Sequence, residues 1–223
     1  MKIIAKRESI LSPLQAVIGV VERRQTMPIL ANVLLSAKGG RLAVTATDLE
    51  VELVATSEVD VQRNGEITVP GRKLLDICRA LPEGAEITIT LDAEKISVRA
   101  RKSRFTLSTL PASEFPTVDE INAQQTLTVP QKDFKRLLEK TYFSMAQQDV
   151  RYYLNGLLLE TSAKSLRSVA TDGHRLALCD VELPEGAKSG QQVIVPRKGV
   201  LELQRILGSE EQTLAVAIGL NHV

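Results

Sequence analysis

The sequence predicts an α+β protein built from repeats of a β-α-β-β-β unit, with helices on one face of antiparallel sheets. Three observations carry this. First, a short apolar run enters Val-Pro and opens a basic helical stretch three times. These are Ile67-Thr68-Val69-Pro70-Gly71-Arg72-Lys73, Leu127-Thr128-Val129-Pro130-Gln131-Lys132 and Val193-Ile194-Val195-Pro196-Arg197-Lys198, with Ile3-Ile4-Ala5-Lys6-Arg7 as a degenerate fourth. Proline suits such a junction: its fixed φ fits a helix start, where its missing N–H would have no intrahelical partner. Second, longer segments echo one another. Asn32-Val33-Leu34-Leu35 returns as Asn155-Gly156-Leu157-Leu158 at an offset of 123, Ala46-Thr47-Asp48 as Ala170-Thr171-Asp172 at 124, and Val69-Pro70 as Val195-Pro196 at 126. A repeat of that length means two copies of one domain, each holding two strand-helix units. Third, Ile87, Ile89 and Leu91 alternate with Glu86, Thr88 and Thr90, the pattern of antiparallel strands with one wet face.

In chain order, the first helix, over residues 7–24, carries Ile10, Leu14, Val17, Ile18 and Val21 on one stripe. Gly39-Gly40 joins two strands. The second helix carries Leu74, Leu75, Ile77, Cys78 and Leu81 and stops at Pro82-Glu83-Gly84. Strands follow through the turns at Asp92-Ala93-Glu94-Lys95 and Lys102, ending at Phe105, Leu107 and Thr109. Residues 110–126, with Pro111, Pro116 and Asn122-Ala123-Gln124-Gln125, read as the domain linker. The third helix carries Phe134, Leu137, Leu138 and Tyr142. The fourth carries Val200, Leu203 and Leu207 and stops at Gly208. The domains are expected at residues 1–118 and 125–223, the second incomplete at its C-terminal end: aligned on the first, it lacks the counterpart of residues 101–116. The chain is therefore expected to be a fragment, with a naturally shortened last domain as the alternative.

Composition narrows the classes. In 223 residues no apolar run approaches the roughly 18 that a membrane helix needs, and the N-terminus lacks the apolar core of a signal peptide. Cys78 and Cys179 sit inside apolar patterns, so both are expected to be buried, unpaired thiols of a reducing cytoplasm. No Cys/His cluster points to a metal, and no cofactor is expected. Net charge is only +1, but the four helical stretches sum to +7 and leave −6 for the rest. Basic helices on an acidic scaffold give one positive surface if the helices share a face; ordinary solvated helix faces are the alternative.

One constellation could carry chemistry: Ala170-Thr171-Asp172-Gly173-His174-Arg175-Leu176. A hydrolase or transferase would use Asp172 and His174 as an acid/base pair, with Cys179 as nucleophile. In a strand, however, Cys179 would point away from His174. Thr47-Asp48 holds the same place in the first copy with no histidine after it, which favours a hydrogen-bonded turn. Tyr152-Tyr153 beside Arg151 is a local concentration in a chain with three tyrosines and four phenylalanines. It reads either as a strand start with one ring packed and one exposed or as a polar, amphipathic loop that touches a ligand or nucleic acid.

Several segments resemble the bacterial sliding clamp family, the beta subunit of DNA polymerase III. They are Thr26-Met27-Pro28-Ile29-Leu30-Ala31-Asn32, Val69-Pro70-Gly71-Arg72-Lys73, Phe105-Thr106-Leu107-Ser108-Thr109-Leu110-Pro111, Phe115-Pro116, Asp149-Val150-Arg151-Tyr152-Tyr153-Leu154-Asn155-Gly156, residues 170–176 and Val195-Pro196-Arg197-Lys198-Gly199-Val200. The resemblance runs the length of the chain, in order. It implies the DNA-clamp fold and a cytoplasmic, non-catalytic processivity factor with three domains per chain and two chains closed head to tail. Helices would line a hole that takes duplex DNA, attracting phosphates without reading bases. By the same resemblance, Arg24, Arg72, Gln148, Tyr152, Tyr153, Arg197 and Lys198 match positions facing DNA. Arg151, Leu154, Thr171, Gly173, His174, Arg175 and Leu176 match one side of the pocket that takes short peptide motifs of polymerase subunits and the clamp loader. Phe105 and Leu107 match the edge that pairs with a second chain. The end of domain two and all of domain three have no counterpart here, which puts ring closure in doubt for this chain.

Overall fold

A computed structural model describes residues 1–21, 27–118, 122–183, 185–187, 190–208, 211–219 and 222–223. They fall into two units, Met1–Thr117 and Val118–Val223. The first unit opens with β1 (Lys2–Lys6) and α1 (Arg7–Val17), followed by β2 (Asn32–Lys38), β3 (Arg41–Thr47), β4 (Glu52–Glu58) and β5 (Asp60–Arg63). Its second half is β6 (Gly65–Pro70), α2 (Gly71–Ala80), β7 (Glu86–Asp92), β8 (Lys95–Ala100) and β9 (Ser103–Ser108). Apart from the short β5, which the sequence reading lacks, this is the expected repeat. The strands form two antiparallel sheets, β5-β1-β7-β8-β9 and β4-β3-β2-β6. Helix α1 lies on β3 and β4, and α2 on β2 and β6. The period-2 and helical stripes meet in one core, where Ile3, Leu35, Leu42, Ile87, Ile89 and Ile96 join Ile10, Leu14 and Leu74, all fully buried.

The second unit runs β10 (Gln125–Pro130), α3 (Gln131–Thr141), β11 (Gly156–Thr161), β12 (Ser165–Thr171), β13 (Leu176–Glu182), β14 (Gln192–Pro196), α4 (Arg197–Ile206) and β15 (Thr213–Ile218). Its four-stranded sheet is β13-β12-β11-β14. Where the first unit has five strands, the described residues here give two, β10 and β15. Pro70, Pro130 and Pro196 each occupy the N-cap of the helix that follows, with φ between −55 and −57°, so strand passes to helix with no loop. Thr141 Oγ1 and Ser168 Oγ both donate to the carbonyl of Leu137, at 2.7 and 3.0 Å, and tie the end of α3 to β12. No described helix is long and apolar enough to cross a membrane.

Several expectations need correction. Helix α1 ends at Val17 rather than near residue 24; Ile18 packs against the core and Val21 is buried in it beyond the helix, which is why their spacing imitated helix. The first part of the expected linker belongs to the first unit. Leu110 exchanges backbone hydrogen bonds with Thr68, and Phe115 is only 5% exposed against Ile29, Leu30 and Leu34. The linker's end, from Gln125, is already β10. Cys78 is buried and its thiol is pushed up to about 12 by desolvation, but Cys179 is only half-buried, because β13 is an edge strand. The echo at offset 123 is one residue out. Asn32 lies opposite Pro70, and Gly156 opposite Pro196, so Leu34 corresponds to Leu158 at offset 124. A one-residue slip would have exchanged core and outer faces.

Candidate functional site

The Thr171-Asp172 segment of the second unit is a turn closed by side-chain hydrogen bonds. Thr171 Oγ1 accepts the Gly173 N–H at 3.1 Å and donates to the Arg175 carbonyl at 2.8 Å. Asp172 Oδ1 accepts the N–H groups of His174 and Arg175, each at 3.0 Å, and its Oδ2 accepts Nε of Arg175 at 3.1 Å. The Arg175 amide first, then the His174 amide, hold the carboxyl below its ordinary pKa. Both carboxylate oxygens are spent on the turn, which argues against the acid/base reading. Arg175 also donates Nη2 to the Phe143 carbonyl at 2.7 Å, with its guanidinium 5.9 Å from the Phe143 ring centre.

The first unit builds the same turn. Thr47 Oγ1 accepts the Leu49 N–H at 3.1 Å, and Asp48 Oδ1 accepts those of Glu50 and Val51 at 3.0 and 2.8 Å. The third residue is left-handed in both copies, φ +88° at Gly173 and +80° at Leu49. Glycine adopts that conformation freely; leucine does not. Leu49 is 57% exposed, so it gains little packing in return. Leu49→Gly is therefore expected to stabilise the protein by about 0.5–1 kcal/mol, relief of strain outweighing the added freedom of the unfolded chain. Urea denaturation checks this; a loss of stability would show that Leu49 is held by contacts rather than strained.

Ahead of that turn, Asn155 closes a loop by accepting the Asp149 N–H at 2.9 Å and donating to its carbonyl at 2.8 Å. Arg151 forks onto Asp149, Nε to Oδ1 and Nη2 to Oδ2, both at 3.0 Å. That guanidinium lowers the Asp149 carboxyl to about 2, with help from the Arg151 amide. Because the folded value lies below the unfolded one, the pair stabilises above the ordinary carboxylate range and is lost as pH falls towards 2. An NMR titration should find the Asp149 midpoint near 2, and Arg151→Ala should return it towards the ordinary 3.8. A Cβ built on Gly173 would sit 3.5 Å from Nη2 of Arg151, so loop and turn adjoin.

An open cleft of about 370 Å³ lies between them, lined among others by Gln148, Asp149, Asp172, His174, Arg175 and Arg197. It brings together two residues expected to face DNA, Gln148 and Arg197, and two expected to hold peptide, His174 and Arg175. Leu154 and Leu176 are not brought together in it. Leu154 is buried, its amide bonded to the Arg151 carbonyl and its carbonyl to the Ala146 amide, whereas Leu176 is 64% exposed on the outer face of β13. Tyr152 and Tyr153 are both exposed. Phe143, under Arg175, was missed in the sequence, although aromatic scarcity could have drawn attention to it.

The basic residues divide into tied and exposed groups. Arg7 donates Nε to the Cys78 carbonyl at 2.7 Å, and half-buried Arg72 donates Nη2 to the Val21 carbonyl at 2.6 Å. Arg197 reaches the Met145 carbonyl at 3.4 Å, and Lys198 is half-buried on the first turn of α4. Arg24 lies outside the described residues. Lys132, Arg136 and Lys140 recur every fourth residue along α3 and are exposed as one stripe, with Arg136 donating to the Asp180 carbonyl. On β9, Leu107 is buried and Phe105 half-buried, while among the described residues β9 pairs with β8 alone in its sheet.

Sequence profiles of the DNA polymerase III beta subunit match residues 1–119, as its N-terminal domain, and 128–223, as its central domain. The chain is 55% identical over 219 residues to the beta sliding clamp of Pseudomonas putida, covering 98% of this chain and 60% of that one. It is 52% identical over 224 residues to the beta sliding clamp of Escherichia coli, covering 100% and 61%. Among solved structures, a sliding clamp of Pseudomonas aeruginosa aligns with a TM-score of 0.94 at 52% identity, over 99% of this chain and 60% of that one. The Caulobacter crescentus polymerase III beta aligns at 0.93 and 40% identity, over 98% and 61%. The chain thus spans about 60% of the length of these relatives.

Proposed function

Because this chain belongs to the DNA polymerase III beta subunit family, we propose that it works as a sliding clamp, a non-catalytic processivity factor that holds a replicative polymerase to duplex DNA. The observation that carries the reading is the exposed stripe Lys132, Arg136, Lys140 on α3. Such a row meets phosphates at any sequence, as a sliding protein requires. In this reading Arg24, Arg72, Gln148, Tyr152, Tyr153, Arg197 and Lys198 face the DNA. The turn at Thr171, Gly173, His174, Arg175 and Leu176, with Arg151 and Leu154 beside it, takes short peptide motifs of polymerase subunits and the clamp loader. The open backbone of β9, at Phe105 and Leu107, pairs with a second chain in a cytoplasmic head-to-tail ring.

Titration of two unrelated duplexes at 50 and 200 mM salt tests the reading. With three or four phosphates contacted, affinity should fall by about 10²-fold over that range, equally for both duplexes. Salt-insensitive binding, or a strong preference for one duplex, would overturn it.

A further inference from the structure

The chain contains two Asn-Gly pairs, Asn64-Gly65 and Asn155-Gly156. Such a pair carries latent chemistry. A backbone nitrogen can attack the side-chain carbonyl carbon of the asparagine before it, and glycine, with no Cβ, hinders that attack least. The other described asparagines, Asn32 and Asn122, precede Val33 and Ala123, whose side chains stand in the way. The fold treats the two pairs differently.

Asn155 is held. It is half-buried at the end of the short turn Tyr152–Asn155, and both atoms of its amide are engaged with the Asp149 backbone, at 2.9 and 2.8 Å. Its Cγ cannot swing towards Gly156 without breaking both bonds. Asn64 is exposed, and its side chain makes no hydrogen bond among the described residues. It is the single residue between β5 and β6, which belong to different sheets. Packing fixes the nucleophile beside it. A Cβ on Gly65 would lie 3.0 Å from Cβ of Met1 and 3.2 Å from its Cα and N, so a side chain there would crowd the Met1 backbone. One ladder position restrains that nucleophile. Thr68 turns its N–H away from β2, so by alternation Gly65 turns its own towards Ala37, in the last pair of β2 and β6. End pairs of a sheet open more readily than its centre.

We propose that Asn64 is a deamidation site, where the folded protein converts itself to aspartyl and isoaspartyl forms. When the last β2–β6 pair opens, the Gly65 nitrogen bonds to Cγ of Asn64. The Cγ–Nδ2 bond breaks, and ammonia leaves with the proton that Gly65 gives up. Water then opens the five-membered succinimide. Cleavage at Cγ gives an aspartate; cleavage at the main-chain carbonyl gives an isoaspartate, with the chain now running through Cβ and Cγ. One water enters and one ammonia leaves, with no oxidation or reduction. The change has two local effects. A carboxylate arrives next to Arg63, which the register sets opposite Lys2, and the formal net charge falls from +1 to 0. In the isoaspartyl form one extra backbone carbon enters a link of a single residue between two sheets.

The test incubates the folded chain in mildly alkaline buffer and follows both sites by peptide mapping after acidic digestion. Conversion at Asn64 should be at least about tenfold faster than at Asn155, with isoaspartate among the products. In urea the two sites should approach a common rate, because the hydrogen bonds that hold Asn155 are then gone. Asn64→Gln, on an exposed link, should remove the acidic variant and leave the NMR shifts of the core unchanged. The proposal is overturned by equal rates in the folded protein or by conversion confined to Asn155. It is also overturned by aspartate without isoaspartate, which would mean direct hydrolysis of the side chain. A difference that persists in urea would overturn it as well, since neighbouring sequence rather than the fold would then set the rates.

Discussion

Gly156→Ala is expected to destabilise the second unit by about 2–3 kcal/mol, the upper end of what a single added methyl costs in a packed interior. A Cβ at that position would lie 2.6 Å from Cγ2 of Ile194 and 2.8 Å from the Val195 carbonyl oxygen. The side chain could rotate away; the carbonyl could not. It belongs to β14, hydrogen-bonded to β11 in a register that sets Gly156 against Pro196 and Leu157 against Val195. Relief therefore requires the two strands to separate where they hold Leu157 and Val195 in the core. Gly173→Ala is the contrasting case. Only the tip of Arg151 lies within reach there, at 3.5 Å, so the cost is the left-handed backbone alone, about 1 kcal/mol. Amide exchange along β11 and β14, with urea denaturation, measures both. Equal losses for the two variants would mean that β14 yields and that Gly156 is not required by packing.

The second large effect concerns DNA. Replacing Lys132 and Lys140 by glutamine removes two exposed ammonium groups from α3, and neither side chain is buried in the core. If the stripe meets phosphates, affinity should fall by at least about tenfold and the salt slope by about two, one for each lost contact. The loss should be the same on every duplex, and stability should stay within about 0.5 kcal/mol of the parent. Unchanged binding would assign the DNA surface to other residues. A loss confined to one duplex would contradict a phosphate-reading surface altogether.

The fold was largely legible because its signals are local and repeated. Three Val-Pro junctions mark where strands become helices, and the end of α2 at Ala80 needs only Pro82 and Gly84 to be foreseen. What escaped depended on distant partners. Leu110 and Phe115 each precede a proline and look like linker until Thr68 and Leu34, some 40 to 80 residues earlier, are seen beneath them. Ile18 and Val21 keep helical spacing after the helix has ended because the core, not the helix, requires them apolar. At the candidate site, the turn at Thr171-Asp172 could be read from its copy at Thr47-Asp48, since side-chain capping of a turn is written in adjacent residues. That Leu154 points inward while Leu176 points outward could not be read, because burial there depends on how a loop settles on a sheet.

The place of β1 has a consequence for the order in which the first unit assembles. It precedes every other strand of the unit in chain order, yet it sits inside its sheet, between β5 and β7. Its register joins Ile3 to Val61 and to Ile89, so neither flanking strand exists until some sixty to ninety residues have been made. During that interval Ile3 and Ile10 have no core to enter, and contacts of such long sequence separation form slowly. The nascent chain is thus expected to remain protease-sensitive until β7 emerges and to gain resistance in one step afterwards. Pulse proteolysis of stalled chains of increasing length is expected to place that step where β7 has cleared the ribosomal exit tunnel; resistance gained while β7 is still enclosed would overturn the expectation.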